Sequence, residues 1–340
     1  MQALEHQVLV RFTFQVGSVR NHDGHGHAVA AGADRRWLSA ALVLIVGLMA
    51  GEVVAGVVAH SLALISDAAH LLTDAASIVL ALVAMQLAAR PARGRYTFGW
   101  KRVEILSAQA NGITLLVLAG WLTWEAIRRL VAPPVVTGGL VLATALAGVA
   151  INLVAAALLS RANRASLNVA GAFQHILTDL FGFIATAVAG AVVLATGFSR
   201  ADAIATLVVV ALMLRAGIGL VSASGRIFLE AAPVGVDPDA IGDQLAARQA
   251  VVEVHDLHVW AITSGQPALS AHVLVQPGGD CHTVRRDLEQ LLHDDYAITH
   301  TTLQVDHAAE QILTVGPPGT DPAHCSDAHG PVHSSDPHRH

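Results

Sequence analysis

The sequence predicts an integral membrane protein, an all-α bundle of six transmembrane helices followed by a small α+β domain with the element order αββαβ. Of its 340 residues, 54% are hydrophobic and 14% are charged, and the mean hydropathy is +0.54. This composition is too apolar for an ordinary soluble domain. Six apolar stretches each approach the roughly 20 residues with which an α-helix crosses a bilayer. After Arg226 the long apolar runs end, and a shorter, more polar pattern begins.

These patterns divide the chain into four predicted parts. They are a His-bearing cytoplasmic tail (1–36), a transmembrane domain (37–225), a cytoplasmic αββαβ domain (236–308) and a disordered His-rich tail (316–340). The first tail contains NHDGHGH, a string that is typical either of a flexible segment that collects metal weakly or of a solvated tail with no site. The first apolar run begins only near Trp37, so no cleavable signal peptide is expected.

The apolar stretches predict helices at residues 37–58, 62–88, 103–127, 138–160, 167–197 and 201–222. Their orientation follows from the basic residues that flank them. One side carries Arg35, Arg36, Arg90, Arg93, Arg95, Lys101, Arg102, Arg161 and Arg164. The other side carries only Arg128, Arg129 and Arg200. Because basic residues concentrate on the cytoplasmic side, both termini are expected in the cytoplasm.

Two of these helices carry the same pair of polar residues. SDAAHLLTDAAS contains His70 and Asp74, and AFQHILTDLFG contains His175 and Asp179. Residues four apart lie on one face of a helix, so each pair can converge on one ion. Two imidazoles and two carboxylates suit tetrahedral Zn²⁺. A lone buried His is usually a satisfied core residue, but ionisable groups at membrane depth are costly and usually mark an ion pathway.

Other polar residues in the helices predict supporting roles. Asp67 is expected to act as an outer-shell or entry group, and Asp202 is expected to cap the sixth helix with Ser199. The remaining ones are expected to form hydrogen bonds between helices; they are Glu52, Glu104, Gln109, Asn111 and Asn152.

The polar region after the bundle alternates short helical and strand patterns. A helix at 237–250 precedes the strand VVEVHDLHVWAIT, a turn at 264–267 and a second strand, ALSAHVLVQ. Helical spacing returns at 280–293, and a third strand follows at 298–306. This order fits an open sheet with its helices on one face.

Several function classes find no support in the sequence. The net charge of -6 and the lack of a basic block do not support nucleic-acid binding. The two cysteines, Cys281 and Cys325, form neither a disulfide framework nor a CxxC motif. HExxH, GxSxG, a P-loop and DKTG are absent, so neither a metalloprotease nor an ion-pumping ATPase is indicated, and no cofactor is expected. The 19 histidines instead favour transition-metal handling.

Four motifs together resemble the cation diffusion facilitator family of divalent-metal transporters, in its zinc-type branch. They are SLALISDAAHLLTD, YTFGWKRVEILSAQANG, AFQHILTDLFG and VHDLHVWAITSG. The resemblance implies a homodimer in the cell (inner) membrane that exports Zn²⁺ from the cytosol in exchange for protons. It also implies that His70, Asp74, His175 and Asp179 form the transport site.

The same resemblance implies a second zinc site in the cytoplasmic domain, at His255, His272 and Asp306, where zinc would be a regulatory ligand at the dimer interface. His258 and His307 are weaker candidates. His255 and His258 are three apart on a predicted strand, so they are expected to point to opposite faces and not to share a site. Some relatives bind metal in the second cytoplasmic loop through Asp or His. That site is expected to be missing or weakened here, because the loop carries arginines instead.

The sequence therefore predicts a secondary active transporter that moves zinc by alternating access, with protons competing for the same four side chains. Cadmium, cobalt and nickel accept similar ligands, so the ligand set alone does not fix the ion. The alternative is a membrane-anchored metal sensor or metal-binding regulatory protein. The duplicated intramembrane pair disfavours the alternative, since a sensor has no use for ligands at the bilayer midplane.

Overall fold

Six long helices and a small α+β domain account for the residues that the structure describes, which in this computed structural model are 26–58, 62–132, 138–162, 166–308 and 330–334. The long helices are α1 (Gly26–Val58), α2 (Leu62–Ala88), α3 (Arg102–Val131), α4 (Gly138–Leu159), α5 (Leu167–Thr196) and α6 (Ala201–Phe228). The smaller elements are α7 (Pro238–Ala246), β1 (Val251–Thr263), β2 (Gln266–Val275), α8 (Cys281–Tyr296), β3 (His300–His307) and β4 (His333–Ser334). The predicted fold class is confirmed.

The helix ends differ most from prediction at the N-terminus, where α1 begins at Gly26 and not near Trp37. The added residues include the Ala-rich string AVAAGA, and alanine is the strongest helix former. The part of NHDGHGH before Gly26 lies outside the described residues, so its expected flexibility stays a prediction.

The chain separates into two compact units. The first contains the described residues up to Leu87 together with Ala110–Ile218, and the second contains Ala88–Gln109 and the described residues from Gly219 onward. The predicted domain boundaries remain predictions.

In the first unit, apolar side chains hold the helices in two groups. One cluster joins α1, α2, α4 and α5 around buried residues such as Leu38, Ile78 and Ile176, and another joins α3 and α6 around Leu115 and Val210. Outward-facing positions are apolar as well, and Trp121 and Trp124 are more than 60% exposed. An outer surface of this kind is suited to lipid.

Four segments within the described residues are long and apolar enough to cross a membrane. They are Arg102–Val131, Leu142–Leu159, Val169–Thr196 and Ala201–Phe228. Asp74–Ala88 is a shorter apolar helical stretch. The protein is therefore an integral membrane protein.

In the second unit, the strands form one mixed sheet in the order β3-β2-β1-β4. β1 pairs antiparallel with β2, and β2 pairs parallel with β3. Both short helices contribute to its core, with Ile241 and Leu245 from α7 and Leu288 and Leu292 from α8. The αββαβ order agrees with the prediction. The prediction did not include β4.

Residues 330–334 contradict the prediction that the whole segment 316–340 is disordered. His333 and Ser334 form β4 against the edge of β1, and His333 is buried. Composition predicts disorder from the lack of apolar residues, but a short segment can be ordered by an existing strand edge and one buried side chain. Residues 309–329 and 335–340 lie outside the described part of the chain.

Candidate metal centre

Helices α2 and α5 carry the candidate transport site. Ser166 caps the start of α5 by accepting a hydrogen bond from the backbone N–H of Val169, and Gly197 ends the helix with a φ of 73°. Leu71 and Ala75 on α2 pack in the same apolar cluster as Ala172 and Ile176 on α5. This packing fixes the two polar faces relative to each other.

Asp74, His175 and Asp179 converge between these helices. The Nε2 atom of His175 lies 2.7 Å from Oδ1 of Asp74 and 3.8 Å from Oδ2 of Asp179. One ligand atom from each of the three residues lies within 4.8 Å of the others. An ionised carboxylate can only accept a hydrogen bond. His175 Nε2 therefore donates its proton to Asp74 when that carboxylate is charged.

Burial makes this cluster unusual. Asp74 is 1% exposed and His175 is 2% exposed, and the side chain of Asp179 is only 11% exposed. The Nδ1 atom of His175 is buried and has no hydrogen-bond partner among the described residues. Buried charges need a partner or a metal. Three such groups on facing helices therefore fit a binding site better than a packing role.

The three donors also fit the geometry of zinc. Zinc–ligand distances of about 2.0–2.2 Å in a tetrahedral site place two ligand atoms about 3.3–3.6 Å apart. The two measured separations from His175, 2.7 Å and 3.8 Å, lie on either side of that range. A zinc ion would therefore need only small side-chain shifts, and it would replace the proton between His175 and Asp74.

His70, the fourth predicted ligand, lies within α2 one turn before Asp74. Its side chain, like that of Asp67 on the same helix, is outside the described residues. The role of each stays a prediction. Sequence reasoning missed none of the three converging residues.

Two supporting polar residues differ from expectation. Nδ2 of Asn152 donates to the backbone oxygen of Gly148, one turn earlier in its own helix, which is its hydrogen bond among the described residues. Asp202 accepts a hydrogen bond from Nη1 of Arg129 at 3.1 Å. This places an ion pair between α3 and α6 where the sequence predicts a cap. The residues next to Asp202 in sequence indicate a cap, but they do not show that Arg129, 73 positions earlier, lies beside it.

In the second unit, His255 and His272 come together on β1 and β2. They are paired across the two strands, and their ring centroids are 5.5 Å apart. Oε1 of Glu253 lies 2.9 Å from Nδ1 of His255. Asp256, which the sequence prediction did not include, lies 3.8 Å from Nε2 of His272.

The prediction that His255 and His258 face opposite sides of the sheet is wrong. His255 pairs with His272 and His258 pairs with Ser270, with a register shift between the two pairs. His272 and Ser270 are two residues apart on β2 and so share a face, which places both β1 histidines on that face as well. A β-bulge provides the extra residue that breaks the alternation. Asp256 sits in this bulge with a φ of 54° and binds Nε2 of His258 at 3.1 Å.

Asp306 and His307, by contrast, have other partners among the described residues. Asp306 pairs with Leu274 in the sheet and accepts a hydrogen bond from Gln304. His307 Nε2 donates to the backbone oxygen of Gly279 and lies 3.6 Å from Sγ of Cys281. The described contacts of Asp306 therefore do not include His255 or His272.

The connection between α2 and α3 has no ligand cluster of its own. Within the side chains that the structure describes, Asp74, His175 and Asp179 are the single group of three or more metal-binding residues. The connection instead contacts the β1–β2 turn. Lys101 Nζ donates to Oε1 of Gln266 at 2.6 Å, and its backbone oxygen accepts from Thr263.

Two family descriptions match the chain. Residues 38–229 match the cation efflux transmembrane domain, and residues 233–308 match the cytoplasmic domain of cation efflux proteins. Together these two ranges include all seven predicted ligands.

Similar proteins include several named metal transporters. A cadmium, cobalt and zinc/H(+)-K(+) antiporter of Bacillus velezensis is 35% identical over 291 residues, which cover 84% of this chain and 93% of the relative. The metal cation efflux system protein CzcD of Cupriavidus metallidurans is 39% identical, with coverage of 84% and 90%. The zinc transporter ZitB of Escherichia coli is 37% identical, with coverage of 77% and 84%. Among solved structures, the metal-bound C-terminal domain of the CzcD transporter is 38% identical over 21% of this chain and 97% of its own, with a TM-score of 0.20.

Proposed function

Because this chain belongs to the cation efflux family, also called the cation diffusion facilitators, we propose that it exports Zn²⁺ from the cytosol in exchange for protons by alternating access. It is a transporter and not an enzyme. The antiporter is named for cadmium, cobalt and zinc, and ZitB is named for zinc. A set of imidazole and carboxylate donors is compatible with zinc.

The observation that carries this proposal is the convergence of Asp74, His175 and Asp179 in a buried position between α2 and α5. We propose that His70 completes a four-ligand site. Zinc requires neutral imidazole and ionised carboxylate. When the pair carries an extra proton, so that His175 is protonated on both ring nitrogens beside ionised Asp74, the Nε2 proton lies between the two ligand atoms that zinc would occupy. Its release leaves the neutral imidazole that zinc requires. Metal and proton therefore exclude each other at this point.

This exclusion is sufficient for antiport. When the site faces the cytosol, zinc displaces the proton from the ligands. When the helices rock and the site faces outward, protons displace zinc and return with the site. Rigid helix groups that rock around a site near the midplane are a common basis of secondary transport.

We further propose that the protein acts as a homodimer in the cell (inner) membrane, with both termini in the cytoplasm. The basic connections support this orientation. A regulatory zinc ion is proposed at His255 and His272, with Asp256, which lies 3.8 Å from His272, as the carboxylate ligand in place of Asp306. Glu253 and His258 lie next to this group.

A membrane metal sensor is the second candidate. The clustering of His255, His258 and His272 on one face of the sheet would serve a sensor equally well. The buried cluster on α2 and α5 favours the transporter, since a receptor domain outside the bilayer needs no ligands within it.

The test is flux into proteoliposomes that contain the purified full-length protein. Zn²⁺, Cd²⁺, Co²⁺ and Ni²⁺ are presented one at a time, with and without an imposed pH gradient. A transporter moves zinc, and the gradient accelerates the movement. Zinc binding without any flux under either condition would favour the sensor.

A further inference from the structure

The C-terminal segment returns to the α+β domain and extends its sheet. Val254 pairs with His333, and Glu253 pairs with Ser334, in an antiparallel ladder. Without this segment, β1 would be an edge strand, because the sheet order is β3-β2-β1-β4. Adding a short strand to an exposed edge is a common mode of peptide recognition.

The imidazole of His333 fits into a notch on α7. Its side chain is 6% exposed, and its Nδ1–H donates to Oδ1 of Asp243 at 2.8 Å. Nε2 lies 3.9 Å from Oδ1 of Asp239. The floor of the notch is Gly242, where a Cβ atom would lie 2.2 Å from Cδ2 of His333. Real Cβ atoms do not approach that closely, so the notch depends on the absence of a side chain at 242.

The chemistry of this notch selects a histidine. Asp239, Gly242 and Asp243 are spaced by three and four residues and therefore lie on one face of α7. Asp243 accepts a hydrogen bond from one ring nitrogen, and the Asp239 carboxylate lies 3.9 Å from the other, beyond hydrogen-bond distance. The flat ring fills the space that Gly242 leaves open, while the strand pairing sets the position of the backbone. The site thus takes a histidine within an extended peptide.

We propose that α7 and the edge of β1 form a docking site for the histidine of the chain's own C-terminal segment, and that docking withholds His333 from metal. While His333 is docked, one ring nitrogen is bonded to Asp243 and the other is buried. A metal ion can bind this imidazole only after the segment leaves the notch. This second step rests on the proposed metal-export function, whereas the docking itself does not.

Docking is tested by diethylpyrocarbonate modification of His333, followed by mass spectrometry of the full-length protein in detergent. A synthetic peptide of residues 326–340 gives the rate for a free segment. If the segment is docked in nine-tenths of the molecules, His333 should react about tenfold more slowly than it does in the peptide. Gly242→Ala should raise the rate to that of the peptide, because the new Cβ occupies the ring position. Alanine is a better helix former than glycine, so α7 is expected to remain folded.

Gly225→Ala is the matched control, since it adds a Cβ atom in open space and should leave the rate unchanged. Equal reactivity in wild type and peptide would overturn the proposal. So would full protection of His333 in Gly242→Ala.

Metal withholding has its own measurement, which is the amount of zinc bound at fixed free Zn²⁺ in the presence of a competing chelator. Gly242→Ala should bind more zinc than wild type, and adding His333→Ala in the same protein should remove the gain. Equal zinc binding by wild type and Gly242→Ala overturns the withholding step, as does a gain that persists without His333. Neither readout depends on transport, so their failure is distinguishable from failure of the proposed export function.

Discussion

Three residues support the proposal that the candidate site binds an ion. Asp74 and His175 are almost fully buried, and Asp179 approaches the same imidazole from one helical turn away. A single His–Asp pair would satisfy itself with one hydrogen bond. The second carboxylate gives the cluster an excess of acceptors, which is favourable only when a cation or further protons are present.

Asp179→Ala should abolish zinc transport while the protein remains inserted and dimeric, because it removes one of four proposed ligands. The loss should exceed the roughly 10- to 100-fold that outer-shell changes cost metal sites. Zinc flux in proteoliposomes provides the measurement, and Asp287→Asn, which alters an exposed carboxylate outside the cluster, serves as the control. Near-normal flux through inserted Asp179→Ala would contradict the assignment.

His70→Asp should change the choice of metal without abolishing transport. It replaces a nitrogen donor by a hard oxygen donor, so the flux of Zn²⁺ should fall relative to that of Cd²⁺ or Mn²⁺. It also removes an imidazole, the side chain that titrates closest to neutral pH, so the pH profile should shift. Competitive flux of the three ions at several pH values is the measurement. An unchanged ion ranking and pH profile would exclude His70 as a ligand.

At the residue scale, sequence predicts side chains on regular helices better than those on irregular strands. The spacing of His175 and Asp179 already determines that they share a helix face. Asp256 could not be identified in this way, because its position depends on a bulge that alternation does not predict. The string VHDLH, with an acidic residue between two histidines, was the available signal.

At the element scale, α5 is important because it carries both His175 and Asp179. Its Phe183 packs directly on Gly148 of α4, where a Cβ atom would lie 2.3 Å from the ring. Small residues permit such close approach between membrane helices. The position of the two ligands therefore depends on a glycine on a neighbouring helix.

Gly148→Ala should displace α5 and destabilise the protein by about 1–3 kcal/mol, the usual effect of overpacking. Zinc affinity should fall with it. Gly139→Ala, also on α4 but with open space around the added Cβ, is the matched control. Thermal unfolding in detergent and zinc titration give the two readouts. If both variants behave alike, the contact with Phe183 does not position α5.

Helix α8 provides a pH-dependent element outside the membrane. The hydroxyl of Thr283, followed by its backbone N–H, donates to Asp280, and these bonds hold the pKa of this N-cap carboxyl below its usual value. A lowered pKa in the folded state means that the stabilisation is present above the unfolded value of about 3.9 and is lost as the pH falls through the folded value.

Asp280→Ala should therefore lower the thermal midpoint of the full-length protein at pH 7. The difference from wild type should shrink below about pH 4, where the unfolded carboxyl becomes protonated. Asp287→Ala removes a charge from the same helix without affecting the cap and should not show this pattern. A difference that is constant from pH 7 to pH 3 would argue against the capping role.

Most helices and strands could be predicted from the sequence, because they depend on the length of the apolar runs and on the spacing of apolar residues. Helices α2 to α6 begin within one residue of their predicted starts, and the two short helices and three main strands occur in the predicted order. β4 could not be predicted, since two residues have no period. Its position depends on the edge of β1 and on the notch at Gly242, both of which are distant in sequence.

At the scale of the whole molecule, each proposed metal site belongs to one of two units. The buried cluster lies in the first unit, and the histidines of β1 and β2 lie in the second. The described part of the C-terminal tail contacts the second unit's sheet and α7. We therefore expect the tail to influence metal capture and the buried cluster to determine maximal transport.

Deletion of residues 316–340 should change the apparent zinc affinity modestly and leave maximal transport intact. The deletion removes histidines that can collect metal, together with β4, but none of the buried ligands. Zinc flux at a series of zinc concentrations separates the two effects. Complete loss of flux in an inserted truncated protein would show that the tail has a direct part in transport.

Zinc and protons are proposed to exclude each other at Asp74, His175 and Asp179. The most direct test is to count the protons released when Zn²⁺ binds to the purified full-length protein, by calorimetry in two buffers of different ionisation enthalpy. Wild type should release protons near neutral pH, and Asp74→Asn, which removes the negative charge beside His175, should release fewer. Equal proton release by both proteins, with zinc bound to each, would contradict the claim.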